Sequence, residues 1–436
     1  MNSRMGKTRE PVWSGHWGLT YMLGVPFRTR MTEQRMNGMR DRRLRWLVRH
    51  AWRTMPFYRE LLQRDGLDPG SIGGFGDLQR LPLISRDDLR NAGESAWAED
   101  LSAKRRILAS TSGSSDKPLP LAYRLNDRLR KHLIGLHCMS MYGWRPWHRG
   151  MALGSEALPV NHPLARFGIS RWAWVDPSQP VKEWLTAYNS VRPHALHCYP
   201  SALREFCFEA RKQGPLRWLP KVLSVGGEFY SEELGALAAE VFGRPPLGMY
   251  GAVEGGRLAF ECEAHDGLHV RPDAVHIELL KNGQEVAPGE SGSVFITSLI
   301  NTVMPIIRYE LGDLAAWKQG ACDCGLWWPR LTIFQGRKGD VIPLPGGRRV
   351  PVTRLASIVG KSTSVRQFQF VRRAENILVL RYEPDNEKEP GVPEVCEKLQ
   401  QALPGVSLEV ERTGQLPRTR SGKVTRYIDE FEKSAS

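Results

Sequence analysis

The residues best suited to bind phosphate lie in one hydroxyl-rich loop. They are Ser110, Thr111, Ser112, Gly113, Ser114 and Ser115. Backbone N–H groups and hydroxyls of such a loop can converge on phosphate oxygens. The chain has no Gly-x-x-x-x-Gly-Lys-[Ser/Thr] pattern, which argues against a P-loop NTPase. It also has no Gly-x-Ser-x-Gly pattern, so a serine-hydrolase elbow is not indicated.

Three further blocks follow this loop in a fixed order. They are Met-Tyr-Gly-Ala-Val-Glu at 249–254, Arg-Tyr-Glu-Leu-Gly-Asp at 308–313, and Pro-Arg-Thr-Arg-Ser-Gly-Lys-Val-Thr-Arg at 417–426. Together with the loop they resemble the adenylate-forming (acyl- and aryl-CoA ligase) superfamily, which activates a carboxylic acid with ATP. The segments 57–62 and 81–89 resemble the N-terminal region of phenylacetate-CoA ligase-like proteins. That branch also includes the CapK-like proteins of capsular polysaccharide synthesis.

The resemblance assigns the nucleotide contacts to the middle blocks. The turn formed by Gly226, Gly227 and Glu228 would lie against the adenine, and the ring of Tyr250, followed by Gly251, would stack on the base. Glu254 stands where the family keeps a magnesium-binding carboxylate, and Mg²⁺ needs only one or two carboxylates beside phosphate oxygens. Asp313 would accept both ribose hydroxyls, a task for a planar acceptor with two oxygens.

The resemblance places the remaining catalytic groups toward the C-terminus. Arg337 would contact the nucleotide near a hinge between two domains, and Lys423 would reach the substrate carboxylate and the α-phosphate. An ammonium on a flexible stem is a compact, mobile charge suited to that role. Two positions depart from the family: Asp116 stands where glycine is usual, and Gly339 stands where Asp or Lys is common. Glycine can still absorb a large backbone rotation at a hinge.

A metal site is implied by a narrower resemblance. Several phenylacetate-CoA ligase-like proteins carry a zinc-binding Cys…His…Cys-x-Cys arrangement similar to Cys262, His269, Cys322 and Cys324. Three thiolates and one imidazole satisfy tetrahedral Zn²⁺ without an open position, so the zinc would be structural. His269 is the preferred fourth ligand because the family histidine follows Gly-Leu, and His265 is the competitor. Free buried thiols remain the alternative.

The elements that must position these residues form an α/β fold with mixed α and β elements. A chain of 436 residues exceeds the size of one hydrophobic core, so more than one domain is expected. We predict a helical arm at 1–101, the core of a large AMP-binding domain with helix-flanked sheets at 102–336, and a small α+β mobile lid domain at 337–436. The resemblance implies that this lid closes over the nucleotide.

Charge and cysteine usage limit the partners. Ten arginines against Glu33 and Asp41 lie between residues 28 and 59, where Met39–Arg53 is predicted to form an amphipathic helix with a basic outer face. This face either lies on the surface of the large domain or makes a peripheral contact with an anionic membrane. No aromatic-basic RNA motif supports nucleic-acid binding. Seven irregularly spaced cysteines and a polar N-terminus favour a cytoplasmic protein, and a homodimer is left open.

The function predicted from the resemblance is an ATP-dependent, AMP-forming ligase. It would adenylate an aryl or acyl carboxylic acid with ATP and Mg²⁺ and transfer the acyl group to coenzyme A or another nucleophile. One alternative is CapK-like transfer to an amine or hydroxyl. Another is a non-catalytic nucleotide-binding relative. The sequence names neither the acid nor the acceptor, because pocket residues are scattered along the chain.

Overall fold

The predicted α/β fold class is confirmed by a computed structural model that describes residues 28–110, 118–154, 166–337, 341–385, 391–419 and 423–435. The helices are α1 Glu33–Thr54, α2 Pro56–Arg64, α3 Arg86–Ala92, α4 Leu125–Met141, α5 Val181–Val191, α6 Pro200–Gln213, α7 Glu232–Phe242, α8 Val352–Gly360, α9 Val392–Ala402 and α10 Glu430–Ala435. The strands are β1 Ile107–Ser110, β2 Pro120–Tyr123, β3 Arg149–Leu153, β4 Arg171–Val175, β5 Ala195–Cys198, β6 Val222–Gly226, β7 Leu247–Ala252, β8 Gly256–Glu261, β9 Leu268–Val270, β10 Val275–Lys281, β11 Gln284–Glu285, β12 Gly292–Ser298, β13 Tyr309–Lys318, β14 Arg330–Arg337, β15 Val341–Pro343, β16 Arg349–Pro351, β17 Val365–Ala374, β18 Ile377–Pro384, β19 Ser407–Arg412 and β20 Tyr427–Asp429.

A large sheet of twelve described strands runs through the main body of the molecule. Its strand order is β11-β10-β12-β13-β14-β9-β8-β7-β6-β5-β3-β4. Strands β4, β3, β5, β6 and β7 are parallel neighbours, and the remaining pairs from β7 to β11 are antiparallel. We call the described part of the chain up to residue 337, which holds this sheet, the large lobe.

The parallel half of the sheet alternates strands with helices. Helices α5, α6 and α7 connect β4, β5, β6 and β7 in turn. Every residue of β6 is buried, as expected for a parallel strand that is covered on both faces. The carboxyl ends of β5, β6 and β7 lie at one edge of the sheet, which is where ligand clefts form in open sheets of this kind.

The basic N-terminal helix is α1, and it is longer than the predicted span 39–53. It buries an apolar stripe that includes Leu44, Leu47, Val48 and Ala51 in the core shared with the antiparallel half of the sheet. The helix forms because burial of this apolar stripe offsets the cost of ordering the helix. None of the described helices is both long enough and apolar enough to cross a membrane.

The small lobe, which we define as the described residues from 341 onward, has its own sheet with strand order β19-β18-β17-β20. The predicted strand pair is confirmed, since β17 and β18 are antiparallel neighbours. Helices α8 and α9 pack with this sheet around a separate apolar cluster that includes Leu355, Phe370 and Leu399. The predicted domain limits at 101 and 336 stay predictions; β14 runs through Gly336 to Arg337.

Candidate active site

The cleft is built around a turn of two glycines at the end of β6. A Cβ atom on Gly226 would lie 2.7 Å from the carbonyl oxygen of Met249 on the neighbouring strand β7. Gly227 has a φ of +83°, and a Cβ atom there would lie 3.2 Å from the Lys423 Nζ. The turn therefore requires glycine both for its backbone conformation and for the close approach of the lysine.

Lys423 belongs to the small lobe and contacts this turn in the large lobe. Its Nζ donates a hydrogen bond to the Gly227 carbonyl oxygen at 2.8 Å and lies 4.9 Å from the centre of the Tyr199 ring. The lysine backbone is held by Thr419, whose N–H donates to the Lys423 oxygen at 2.8 Å and whose Oγ1 accepts from the Lys423 N–H at 3.1 Å. In this lobe arrangement the ammonium thus lies at the cleft.

The carboxylate of Glu228, the third residue of the predicted turn, faces Ser201 of α6 and not the open cleft. It accepts hydrogen bonds from the Ser201 N–H and the Ser201 hydroxyl, both at 2.9 Å. Ser201 lies in the first turn of α6, where unpaired N–H groups attract an anion. The carboxylate therefore binds the β6 turn to the start of α6.

Tyr250 and Asp313 meet at the next part of the cleft. The Tyr250 hydroxyl donates to Asp313 Oδ2 at 2.7 Å. Their strands, β7 and β13, are four positions apart in the sheet. A flat sheet would separate them by about 19 Å, at about 4.8 Å per strand, so the sheet must curl to bring these side chains together. Gly251 follows Tyr250, and a Cβ atom there would lie 2.9 Å from the Gly256 oxygen.

Glu254 lies just beyond the end of β7 and is 8% exposed. The Tyr309 hydroxyl donates to its Oε1 at 3.4 Å. Tyr309 and Asp313 belong to one sequence block, and Glu254 and Tyr250 belong to another. The hydrogen bonds between these pairs join the two blocks into a single wall of the cleft. One well-placed carboxylate on such a wall is a suitable ligand for Mg²⁺ when phosphate oxygens supply the others.

Arg308, from the same block, is directed away from the cleft. It has a φ of +47°, and its guanidinium pairs with the Glu278 carboxylate at 2.8 Å. It also donates to the carbonyl oxygens of Gln79 and Leu81 at 3.0 and 2.6 Å. The arginine therefore ties the N-terminal helical arm to the sheet while its neighbour Tyr309 reaches the cleft. No pattern in the sequence indicates this division of roles.

The other predicted nucleotide contacts are only partly described. Ser110 ends β1, and Arg337 ends β14, where its backbone pairs with that of Asp313. The loop residues Thr111, Ser112, Gly113, Ser114 and Ser115 lie outside the described residues, as do Asp116 and Gly339.

The four predicted zinc ligands lie together beside β9. The ligand atoms of Cys262, His269, Cys322 and Cys324 are all within 4.8 Å of one another. The Cys262 and Cys322 sulfurs are 3.5 Å apart, and the Cys324 sulfur is 3.3 Å from His269 Nε2. These separations suit the edges of a tetrahedron around Zn²⁺, whose bonds to sulfur and nitrogen are about 2.3 and 2.0 Å.

The hydrogen bonds of the two histidines favour His269 as the fourth ligand. His269 Nδ1 lies 3.3 Å from the Trp328 carbonyl oxygen, so this nitrogen donates and Nε2 is left to face the thiols. His265 Nδ1 instead lies 3.3 Å from the Glu261 carboxylate. The arrangement offers four ligands and no open position.

A polar network between the lobes escaped sequence analysis. Arg204, on α6, is 5% exposed and donates to four backbone oxygens of the small lobe, those of Gly360, Ser362, Val365 and Arg366, at 2.7 to 3.2 Å. Burial lowers the pKa of Arg204 to about 10, so it stays charged at neutral pH. No motif marks this residue in the sequence.

The same helix face carries a second interlobe contact. Gln367 donates from its amide to the Ser201 oxygen at 2.7 Å and to the Glu205 carboxylate at 3.0 Å. Arg418, close to Lys423 in the chain, also pairs with Glu205. Burial raises the pKa of Glu205, and the Arg418 charge opposes this effect. Helix α6 is therefore one surface on which the small lobe rests; Glu233 of α7, which accepts from the Ser357 hydroxyl at 2.6 Å, adds another contact.

No family model matches the sequence. Among curated proteins, the phenylacetate-coenzyme A ligase of Thermus thermophilus is 26% identical over 94% of this chain and 99% of its own length. The phenylacetate-coenzyme A ligase of Escherichia coli is 24% identical over 90% of this chain and 94% of its own length. Both matches cover nearly the whole length of this chain and of the relative, so they include both lobes and the cleft.

Among solved structures, a 2-hydroxyisobutyryl-CoA ligase is similar in three states. In its postadenylation state the TM-score is 0.76 at 19% identity, covering 94% of this chain and 92% of that one. The TM-scores are 0.62 for its thioesterification state and 0.60 for an open conformation. Of these three states, the postadenylation state has the highest TM-score with this chain.

The chain is similar in fold to adenylate-forming CoA ligases, which have two domains. The curated sequence matches extend over almost the whole chain. They confirm the resemblance to phenylacetate-CoA ligase-like proteins that was drawn from the sequence.

Proposed function

We propose that this protein is an ATP-dependent, AMP-forming carboxylate ligase that passes the activated acyl group to coenzyme A. The observation that carries the proposal is the contact of Lys423 with the Gly227 carbonyl oxygen, which brings a mobile ammonium from one lobe to the strand ends of the other. Adenylation needs such a charge, because negative charge grows on the oxygens around the α-phosphorus as the acid attacks and pyrophosphate leaves.

The nucleotide is assigned to the wall formed by Tyr250, Asp313 and Glu254. Asp313 accepts the ribose hydroxyls, and its hydrogen bond from Tyr250 fixes the carboxylate orientation. The adenine lies between the Tyr250 ring and the Gly226–Gly227 turn. Glu254 holds Mg²⁺, which supplies positive charge to the phosphates when bound. The Ser110–Ser115 loop and Arg337 are assigned to the phosphates on the family resemblance alone.

Lys423 has two partners in the assigned step. With the small lobe seated on α6, its ammonium lies within reach of a carboxylate and of a phosphate placed at the Gly227 turn. The Tyr199 ring beside the ammonium limits the positions that the lysine side chain can occupy. Holding both reactants against one charge reduces the entropic part of the barrier as well as its electrostatic part.

We assign a structural Zn²⁺ to the cluster of Cys262, His269, Cys322 and Cys324. Support comes from the donor set and from the Trp328 oxygen, which orients His269. The cluster connects the β8–β9 turn with the β13–β14 connection, so the metal would cross-link loops that are distant in sequence. A closed set of four ligands gives the metal no part in the chemistry.

We also propose that the basic face of α1 makes a peripheral contact with an anionic membrane. Arg35, Arg42, Arg49 and Arg53 are exposed along the helix. Arg43 instead faces inward and donates to the Leu299 oxygen at 3.1 Å. A cytoplasmic location and a homodimer also stay proposals that rest on the sequence.

The adenylation proposal is tested by ATP–pyrophosphate exchange with a panel of aryl and fatty acids. We expect exchange that depends on Mg²⁺ and on one class of acid, followed by AMP and thioester formation when coenzyme A is added. Transfer to an amine or hydroxyl, with no thioester formed, would favour the CapK-like alternative. Exchange with none of the acids, while ATP still binds, would replace the enzyme proposal with a non-catalytic nucleotide-binding relative.

A further inference from the structure

A cationic side chain lies next to the glycine turn, and no acidic residue in the described part of the chain pairs with it. Arg257 is the second residue of β8 and pairs with Gly251 of β7. Its side-chain stem passes 3.7 Å from the Cβ position of Gly251 and 3.9 Å from that of Gly135 on α4. The arginine stem thus packs against two glycines on adjoining elements, beside the cleft wall.

The guanidinium of Arg257 binds a neutral imidazole. Its Nη2 lies 3.0 Å from His197 Nε2, and His197 Nδ1 lies 3.0 Å from the Ser224 hydroxyl. Because a guanidinium can only donate, Nε2 must accept and Nδ1 must carry the proton. Burial, together with the Arg257 charge, holds the pKa of His197 well below its ordinary value. The histidine therefore fixes the arginine in place without neutralising it.

Within the described ranges, no other interaction offsets the charge of Arg257. The hydrogen bond to His197 is the polar contact that Arg257 makes, and no carboxylate among the described residues pairs with it. The side chain is half-buried. Buried pairs elsewhere show the usual solution, as with Arg271 and Asp273. A partly desolvated guanidinium whose partner is a neutral group can still form its strongest favourable interaction, which is with an anion.

The arginine is also connected to the place where chemistry is proposed. His197 Cε1 lies 3.5 Å from the Cβ position of Gly226, and the next residue, Gly227, binds Lys423. Strands β5, β6, β7 and β8 are successive neighbours in the sheet. The guanidinium reaches back across β7 and β6 to His197 of β5, so one imidazole ring separates it from the Gly226 turn.

We infer that Arg257 is a specificity-determining residue that receives a second carboxylate at the far end of the acid, so that the preferred substrate is a dicarboxylic acid of medium length. The inference rests on the proposed function, because it places the reacting carboxylate at Lys423. One carboxylate meets the ammonium and the other meets the guanidinium in a two-oxygen contact that suits its planar geometry. His197 is a positioning residue that acts through Arg257.

The test uses matched pairs of acids in ATP–pyrophosphate exchange: octanoate against octanedioate, and phenylacetate against 4-carboxyphenylacetate. We expect the unmodified protein to have a higher kcat/KM for the diacid of at least one pair. In Arg257→Met the ratio of diacid to monoacid kcat/KM should fall about 10- to 100-fold, the range for a lost hydrogen-bonded charge contact. Arg257→Lys should restore part of the ratio, since it keeps the charge but not the planar fork.

The control is Arg244→Met, which removes a surface arginine that donates to the Lys221 oxygen. It should leave the ratio unchanged. A preference of the unmodified protein for monoacids, or an equal loss for both acids in Arg257→Met, overturns the inference while adenylation stands. If no acid supports exchange, calorimetric binding of octanedioate decides: weaker binding to Arg257→Met supports the subsite although the proposed reaction fails, and equal binding overturns the subsite as well.

Discussion

The Cys/His cluster and the cleft under Lys423 differ in how their parts are held. All four cluster residues belong to the large lobe and meet between two connections of one sheet. The cleft needs both lobes, since its ammonium comes from the small lobe and its glycine turn from the large one. The cluster is therefore complete in every lobe arrangement, whereas the cleft is complete in one. Changes to the first should affect stability, and changes to the second should affect activity.

The largest effect is expected from Lys423→Ala. Loss of the ammonium should lower the rate of acid-dependent ATP–pyrophosphate exchange by about 10²- to 10³-fold, the scale for removing one preorganised charge-stabilising group. The denaturation midpoint should not change, because the lysine adds one contact with a carbonyl oxygen at the edge of the cleft. Exchange and urea denaturation of the same preparations measure both quantities.

A matched control is available in the same lobe. Lys398 is an exposed lysine on α9 that pairs with Glu394. Lys398→Ala should leave exchange as it is. Full activity of Lys423→Ala would refute the role proposed for the interlobe lysine.

At the Cys/His cluster we expect a loss of stability with little change in activity. Cys322→Ser should release the metal and lower the free energy of unfolding by about 3 kcal/mol, a typical loss when a covalent cross-link between distant segments is removed. Exchange at temperatures well below the midpoint should stay close to that of the unmodified protein. Metal content and urea denaturation are the measurements. Cys396→Ser, on α9 and outside the cluster, is the control, and unmodified protein without about one zinc per chain would reject the assignment.

Weakening the hydrogen bonds between the lobes should affect both lobe docking and activity. Arg204→Met removes four hydrogen bonds to backbone oxygens of the small lobe, two of them buried, and should weaken lobe docking by about 2 kcal/mol. Hydrogen exchange of residues 360–366 should become faster, and acid-dependent exchange should fall because fewer molecules hold Lys423 at the cleft.

Arg211→Met tests whether this effect belongs to the interface. Arg211 lies on the same helix but pairs with Glu240 at the surface of the large lobe. It should change neither the hydrogen exchange of the small lobe nor the activity. Unchanged protection of 360–366 in Arg204→Met would mean that the lobes are held by other contacts.

The blocks that could be predicted are those in which one residue type is needed for its own chemistry. Glycine at 226 and 227, the carboxylates of Glu254 and Asp313, and the cysteine pair around 323 each stand in short, ordered motifs. Alternation of apolar strands and helices was also sufficient to predict the α/β class. These features are local, or depend only on the order of local features.

The parts that could not be predicted depend on which distant residues meet. Arg204 and Arg257 are ordinary arginines in the sequence, and their partners are backbone oxygens and a histidine far along the chain. Arg308 stands in a recognised block and yet serves the N-terminal arm. The curl that brings Tyr250 to Asp313 is a property of the whole sheet. Only tertiary contacts distinguish such residues from solvated charges.

The smallest effect is expected from Tyr250→Phe, and it separates orientation from contact within the cleft wall. The change keeps the ring that we assign to the base and removes only the hydroxyl that binds Asp313 at 2.7 Å. We expect the KM for ATP to rise about 10-fold, which corresponds to about 1.4 kcal/mol for one hydrogen bond to a charged group. The kcat should change less, because the ribose is remote from the reacting phosphorus. Steady-state kinetics at saturating acid measure the split; a fall in kcat with an unchanged KM would show that Tyr250 acts on the chemical step and not on Asp313.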